Sequence, residues 1–405
     1  MQNRRDFLSA SAVLALAGTA PRAIAQGKPP IRIGAIQALT GFAADYGALY
    51  SAAINLAMND INAAGGINGS KLEIRIEDDQ LAAQQAVLMY RKHVSDGMVA
   101  VLGPVAGTAW ETVAPIANAM RCPAINSNAL KPGVSRKPYA VRLHPPDDTM
   151  IPEGLAEFHK ALPQIKRVVI AGDVQEASGA AGIEEFSKAA AKLGIEVLDR
   201  VSYQTRTTDF SPMAIKVRSA NPDAVLISSL GPTSLGFVKE LETQRFDKPI
   251  LINALVWAGN AFINALGTAG TRLYSLGLTT SEHDQGNPAH DQFNDRYLKF
   301  AGETTKLTKP INICNTSLTY DTVMLLADIL RQKKIDGNTD VAAAREAIKD
   351  GIAALTEWKG INTIHMRANG DGHIQTHLLR AVPDRKTWEF ALPQAERLNT
   401  PIIPA

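Results

Sequence analysis

The stretch VLGPVAGTAW, residues 101–110, sets Gly103, Pro104 and Gly107 between an apolar strand-like run and a helix start, with Thr108 at that start. The first N–H groups of a helix have no intrahelical acceptor, so such a turn aims them at an anion. Glu77-Asp78-Asp79 is the other concentration of charge, readable as a metal or acid/base cluster or as the end of a strand. Eight histidines are scattered without metal-ligand spacing, and the chain contains no G-x-x-x-x-G-K-[ST], G-x-G-x-x-G, G-x-S-x-G or H-E-x-x-H. Lacking the Lys and Ser/Thr of a nucleotide loop, residues 103–107 are not a triphosphate cradle. Enzymatic chemistry would need groups that converge only in space.

The elements that must position this loop alternate along the chain. A strand over 31–36 is followed by Leu49, Ala53, Leu56, Ala57 and Ile61 at helical spacing, until Gly65-Gly66 stops the helix. Leu72, Ile74 and Ile76 then alternate with charged residues as in a strand, followed by a helix over 82–94, a strand over 98–102, a helix over 109–120 and a short strand over 124–126. Short helical crossovers between strands require a parallel sheet with helices on both faces. After His144-Pro145-Pro146-Asp147-Asp148 the rhythm restarts, with strands over 167–171, 224–229 and 250–253 and helices over 180–193, 212–220 and 234–244. Helical signals over 289–300 and 316–331 and strand-like segments over 361–367 and 374–382 close the chain. The fold class predicted is α/β, with two doubly wound parallel-sheet lobes.

With 405 residues, 45% hydrophobic and 20% charged, the chain has enough apolar material for two cores. A net charge of +2 gives no basic excess for nucleic acid or an acidic membrane surface. At the N-terminus, Arg4-Arg5, Asp6-Phe7-Leu8, a mildly apolar run over 10–20 and Ala23-Ile24-Ala25 read as an export signal, residues 1–25, with cleavage before Gln26. The arginine pair points to twin-arginine export; a general secretory signal with a chance Arg-Arg, or an amphipathic first helix, are the other readings. Beyond it no stretch reaches the roughly 20 apolar residues of a membrane span, so a soluble periplasmic protein is implied. In that oxidising compartment Cys122 and Cys314 form either one disulfide or two buried thiols.

The residues IGAIQALTGFAADYGALYSAAINLAMNDINAAGGINGSKLEIRIEDDQ, followed in order by DGMVAVLGPVAG, PAINSNA, DAVLISSLGP and TSLTYDTVMLLADIL, resemble the periplasmic Leu/Ile/Val-binding proteins. These are substrate-binding subunits of ABC importers, with a type I periplasmic-binding fold. The resemblance implies two lobes, 26–146 with 278–361 and 147–277 with 362–405. Three hinge crossings join them, near 143–147, 274–280 and 360–365. It implies an inner-membrane permease and ATPase as partners, no cofactor and no metal, and binding rather than turnover. His144 would lie at the first crossing as a solvated hinge residue, and the acids of residues 77–79 would end a strand.

The same resemblance makes the opening loop a grip for a ligand carboxylate, through backbone N–H groups and a hydroxyl. Here Gly107 stands where the relatives place Ser, with Thr108 after it. Tyr46 matches an aromatic of the first helix, and Asn128 a residue that offers its carbonyl to an ammonium group. Leu130 replaces a Thr, Ala177 and Leu230 replace Tyr, and Asn315 replaces Phe. Ala254 falls where a Glu neutralises the ammonium. Burying an ammonium without a carboxylate costs several kcal/mol, so an aromatic or aliphatic acid is expected rather than a plain amino acid, unless another acid replaces the Glu. Branched-chain or other amino acid binding, and a ligand-sensing subunit for a membrane receptor, are the alternatives. Trp110 and Trp257 either stack on the ligand or pack.

Overall fold

The computed structural model describes residues 27–253, 267–280, 283, 287–307 and 315–397. Alternation in β1 (Lys28–Gln37) turns Ile31 and Ile33 inward, and α1 (Ala44–Ala63) lays Leu49, Ala53, Leu56, Ala57 and Ile61 on the same core. The turn after α1 needs glycine: Gly66 has φ 79°, and a Cβ there would lie 2.1 Å from the Ser70 carbonyl oxygen. Then β2 (Ser70–Asp78), α2 (Ala83–Ser95), β3 (Val101–Leu102), α3 (Gly107–Ala119), β4 (Ala124–Asn126) and β5 (Ala140–Arg142) complete a five-stranded sheet. Its order is β2-β1-β3-β4-β5, with every pair parallel.

The second sheet is built by α4 (Asp147–Ala161), β6 (Arg167–Asp173), α5 (Ala177–Lys192), β7 (Glu196–Tyr203), α6 (Ser211–Ala220), β8 (Ala224–Ser228), α7 (Gly231–Thr243), β9 (Ile250–Ile252) and β10 (Leu273–Gly277). The chain then returns to the first core with α8 (Pro288–Thr304), α9 (Thr316–Gln332) and α10 (Val341–Ala353). A small antiparallel sheet of β11 (Glu357–Lys359), β12 (Thr363–Met366) and β13 (Gly372–His373) follows, and then β14 (His377–Val382) and β15 (Thr387–Phe390).

The second sheet runs β15-β14-β10-β9-β8-β6-β7 and is parallel except at one edge, where β14 pairs antiparallel with both β10 and β15. A tight turn joins β14 to β15, with Lys386 at φ 53°, and only antiparallel strands can be joined so shortly. Leu143 and Met150, Leu276 and Leu278, and Ile374 and Leu378 each fall in different core clusters. Among the described residues no helix is long and apolar enough to cross a membrane.

Candidate functional site

The carboxyl ends of strands from both sheets open on one cleft, as ligand sites of open α/β sheets do. It is lined by Val105 to Gly107 beyond β3, Asn128 to Leu130 beyond β4, Glu176, Ser178 and Gly179 beyond β6, Ser228 to Leu230 around the end of β8, and Asn253 beyond β9. Tyr46 of α1 and Leu81 beyond β2 complete the wall.

Asn126 ties the two loops of the first sheet together. Its Nδ2 donates to the Pro104 carbonyl, while its Oδ1 accepts from the N–H groups of Asn128 and Ala129, each at 2.7 Å. Behind them the fully buried Arg142 donates through Nη1 to the carbonyls of Ala129 (2.9 Å) and Lys131 (2.7 Å), and through Nη2 to Asp371 Oδ1 (2.7 Å). On the opposite wall Asp173 Oδ1 accepts from the N–H groups of Gln175 (2.9 Å) and Glu176 (3.2 Å), which fixes the turn into α5.

The α3 N-terminus does present donors to a carboxylate, and that carboxylate is the protein's own. Glu176 Oε1 accepts from the Thr108 N–H at 3.2 Å, and Glu176 Oε2 accepts from the Thr108 hydroxyl at 2.7 Å. The hydroxyl in turn accepts from the Ala177 N–H at 3.0 Å. A Cβ at Gly107 would fall 2.1 Å from Ser178 Oγ and 2.9 Å from Glu176 Oε1, so glycine here lets α5 come up to α3. A serine at this position would collide with the facing lobe in this arrangement.

Of the remaining sequence candidates, Tyr46, Asn128, Leu130 and Leu230 line the cleft. The Tyr46 hydroxyl accepts from the Gly231 N–H at the start of α7, at 2.8 Å, a second bond across the cleft. Ala177 takes part through its N–H rather than by lining the cleft wall. Asn315 lies outside the cleft lining: it begins α9 in the left-handed region, φ 56°, and its Nδ2 reaches His144 Nε2 at 2.6 Å. Ala254 and Trp257 lie outside the described residues, as do residues 1–26 and Cys314. Trp110 is a fully buried core side chain, and Cys122 is a buried free thiol.

His144 corrects the expectation of a solvated hinge histidine. It is fully buried, its Nδ1 donates to the Pro145 carbonyl at 2.7 Å, and Nε2 is left to accept from Asn315. Burial pushes its pKa down to about 3, so the ring stays neutral. Burial also raises Asp147 well above the ordinary carboxylate range, although Arg142 opposes the shift and Asn253 Nδ2 donates to its Oδ1 at 3.2 Å. Asp79 is buried and raised to about 6, by burial first and by the charge of Asp78 in addition. Its neighbours hold structure: Asp78 accepts from the Leu39 N–H and the Thr40 hydroxyl, and Glu77 pairs with Lys92.

Asn128 Oδ1, Ser228 Oγ and Asn253 Oδ1 are buried cleft-wall atoms with no hydrogen-bond partner among the described residues. Among the described residues the lining contains Glu176 but no lysine or arginine. Sequence reasoning did not pick out Glu176, Ser178, Ser228, Ser229 or Asn253. The available signal was position alone, since each follows a strand of the second lobe.

A family model described as "Periplasmic binding protein" matches residues 30–381. The leucine-, isoleucine-, valine-, threonine- and alanine-binding protein of Pseudomonas aeruginosa is 27% identical over 226 residues, 55% of this chain and 59% of that protein. The chain thus spans about three fifths of that relative's length. Among solved structures, a leucine binding protein from Thermotoga maritima superposes with TM-score 0.77 at 21% identity, covering 89% of this chain and 97% of that one. An ABC transporter solute binding protein from R. palustris, solved in complex with benzoate, superposes with TM-score 0.75 at 17% identity, covering 92% and 100%.

Proposed function

Because the chain belongs to the periplasmic binding protein family, we propose that it is an extracytoplasmic solute-binding protein that closes two lobes over a small carboxylate and delivers it to the permease and ATPase subunits of an ABC importer. Binding, not turnover, is the activity. The observation that carries this reading is the cleft itself: the N-termini of α3, α5 and α7 converge on it from both sheets. The partial positive charge of these helix starts favours an anion. Leu81, Val105, Leu130 and Leu230 supply apolar walls for its body.

An aromatic or aliphatic acid is favoured, given Leu130, Ala177 and Leu230 where the resemblance expects polar or aromatic hydroxyl groups, and Ala254 where it expects Glu. The benzoate complex of the R. palustris neighbour accords with this. The carbonyl oxygens of Asn128 and Asn253 would accept from a hydroxyl on such a ligand. One observation favours a second reading, an amino acid ligand: Glu176 is a carboxylate in the cleft wall, where it could neutralise an ammonium group. The lobes that close divide near residue 146, near residue 277 and after Ile374. Residues 1–25 are read as the export signal, by the twin-arginine route, and N-terminal sequencing of the exported protein should give Gln26 first.

The test is calorimetry, preceded by thermal unfolding, against benzoate, hydroxybenzoates, short aliphatic acids and leucine, isoleucine and valine. A ligand at a hundred times its Kd stabilises by about 2.7 kcal/mol, a rise of about 3–4 °C in Tm for a chain of this length. Acids raising Tm where the amino acids do not is the expected result. Tight leucine binding with no response to the acids would replace the first reading by the second.

A further inference from the structure

Glu176 holds a place that the chemistry of the cleft reserves for the ligand. It is the N-cap of α5, accepting from the Ser178 N–H of its own helix at 3.4 Å, and it also accepts from Thr108 of α3 across the cleft. One carboxylate thus caps two helices from different lobes, each with a partial positive charge at its N-terminus. Glu176 is only 6% exposed, and no basic side chain pairs with it among the described residues. Its compensation comes from the donors that a ligand carboxylate would use. Gly107 is the enabling substitution, since any Cβ there would press on Glu176 and Ser178. Around the same cleft, buried Asn128 Oδ1, Ser228 Oγ and Asn253 Oδ1 await partners, so the wall is built for a guest while its anion donors are already engaged.

We propose that Glu176 is a resident occupant of the carboxylate subsite: it latches the two lobes together before solute arrives, and a ligand carboxylate must take the Thr108 donors from it. This rests on the reading of the cleft as a carboxylate site. Like charges cannot share those donors, so Glu176 swings away as the ligand seats. Its own affinity cost falls on every carboxylate alike, and its removal should be felt as a general gain.

The experiment compares wild type, Glu176→Gln and Glu176→Ala, each refolded free of carried-over solute. Small-angle scattering without added ligand should show a larger radius of gyration for Glu176→Ala than for wild type, because the latch is gone. Calorimetry with benzoate, or with whichever acid of the panel binds wild type, should show about ten-fold tighter binding to Glu176→Gln, which keeps the shape and removes the competing charge. Unchanged scattering overturns the latch, whatever ligand is found. Affinity unchanged within two-fold, or weakened ten-fold or more, overturns the competition; weakening would make Glu176 a direct contact of a cationic group. If no acid binds any of the three proteins, the carboxylate reading of the cleft fails, and the scattering comparison still decides whether Glu176 holds the lobes together.

Discussion

A methyl group at Gly107 tests whether α3 and α5 must meet for solute to be held. The added Cβ in Gly107→Ala falls 2.1 Å from Ser178 Oγ, 2.9 Å from Glu176 Oε1 and 3.2 Å from the Ser178 nitrogen, all three in the facing lobe. Comfortable contact begins at about 3.5 Å. Ser178 Oγ can rotate away only by giving up the bond it accepts from the Lys131 N–H at 3.2 Å, and the other two contacts remain. Overpacking of this size costs about 1–3 kcal/mol. Charged to closure, it weakens solute binding about 5- to 150-fold. The three nearest atoms all lie across the cleft, so the lobes themselves should keep their stability. Calorimetry with the best ligand and thermal unfolding without ligand separate the two effects. A Kd within two-fold of wild type would refute the close approach of α3 to α5, and a large fall in Tm would show that Gly107 serves the fold instead.

Tyr46→Phe removes the hydroxyl that accepts from the Gly231 N–H at 2.8 Å; loss of about 1 kcal/mol should weaken solute binding about five-fold with Tm nearly unchanged, and equal affinity in calorimetry would count against the bond. Asp79→Asn should stabilise the protein above pH 6 by up to about 3 kcal/mol. The folded carboxyl of Asp79 titrates at about 6, above the unfolded value, so its charge penalty is full above pH 6, shrinks as pH falls and is gone below about 3.9. Denaturant titrations of variant and wild type at pH 8 and pH 4 should therefore differ at the first and agree at the second; a difference independent of pH would contradict the assignment. Asp371→Ala leaves the buried Arg142 guanidinium without its carboxylate and should cost about 3–5 kcal/mol, or on the order of 10 °C in Tm; a shift below about 2 °C would mean that the pair is dispensable.

The alternation of strands and helices was legible because each buried face repeats at its own period, as in Ile31 and Ile33 of β1 or Leu49, Ala53 and Leu56 of α1. What escaped depends on partners far along the chain. The three-residue β5 carries Arg142, a poor strand signal until Asp371 neutralises it. Helix α4 buries Asp147, Glu153 and Glu157 and contains Pro152, so it reads as polar and broken. Two of those acids are satisfied from the end of the chain, Glu153 by His373 and the Thr376 N–H, and Glu157 by His377 and the Leu378 N–H. In the cleft, the loop with Gly107 was legible because it follows a strand and starts a helix, whereas Asn128 and Leu130 came from the resemblance. Glu176 was not legible, because its meaning comes from Thr108, 68 residues earlier and on the opposite wall. Asn315 was drawn to the cleft by resemblance, but its left-handed backbone turns it to His144 instead.

The most direct test is a crystal structure of the protein with the best-binding acid of the panel. The account predicts a ligand carboxylate oxygen within about 3.2 Å of the Thr108 N–H or hydroxyl, with Glu176 moved off those donors. A ligand carboxylate more than about 4 Å from Gly107 and Thr108, beyond hydrogen-bond reach, with Glu176 still bonded to Thr108, would contradict it.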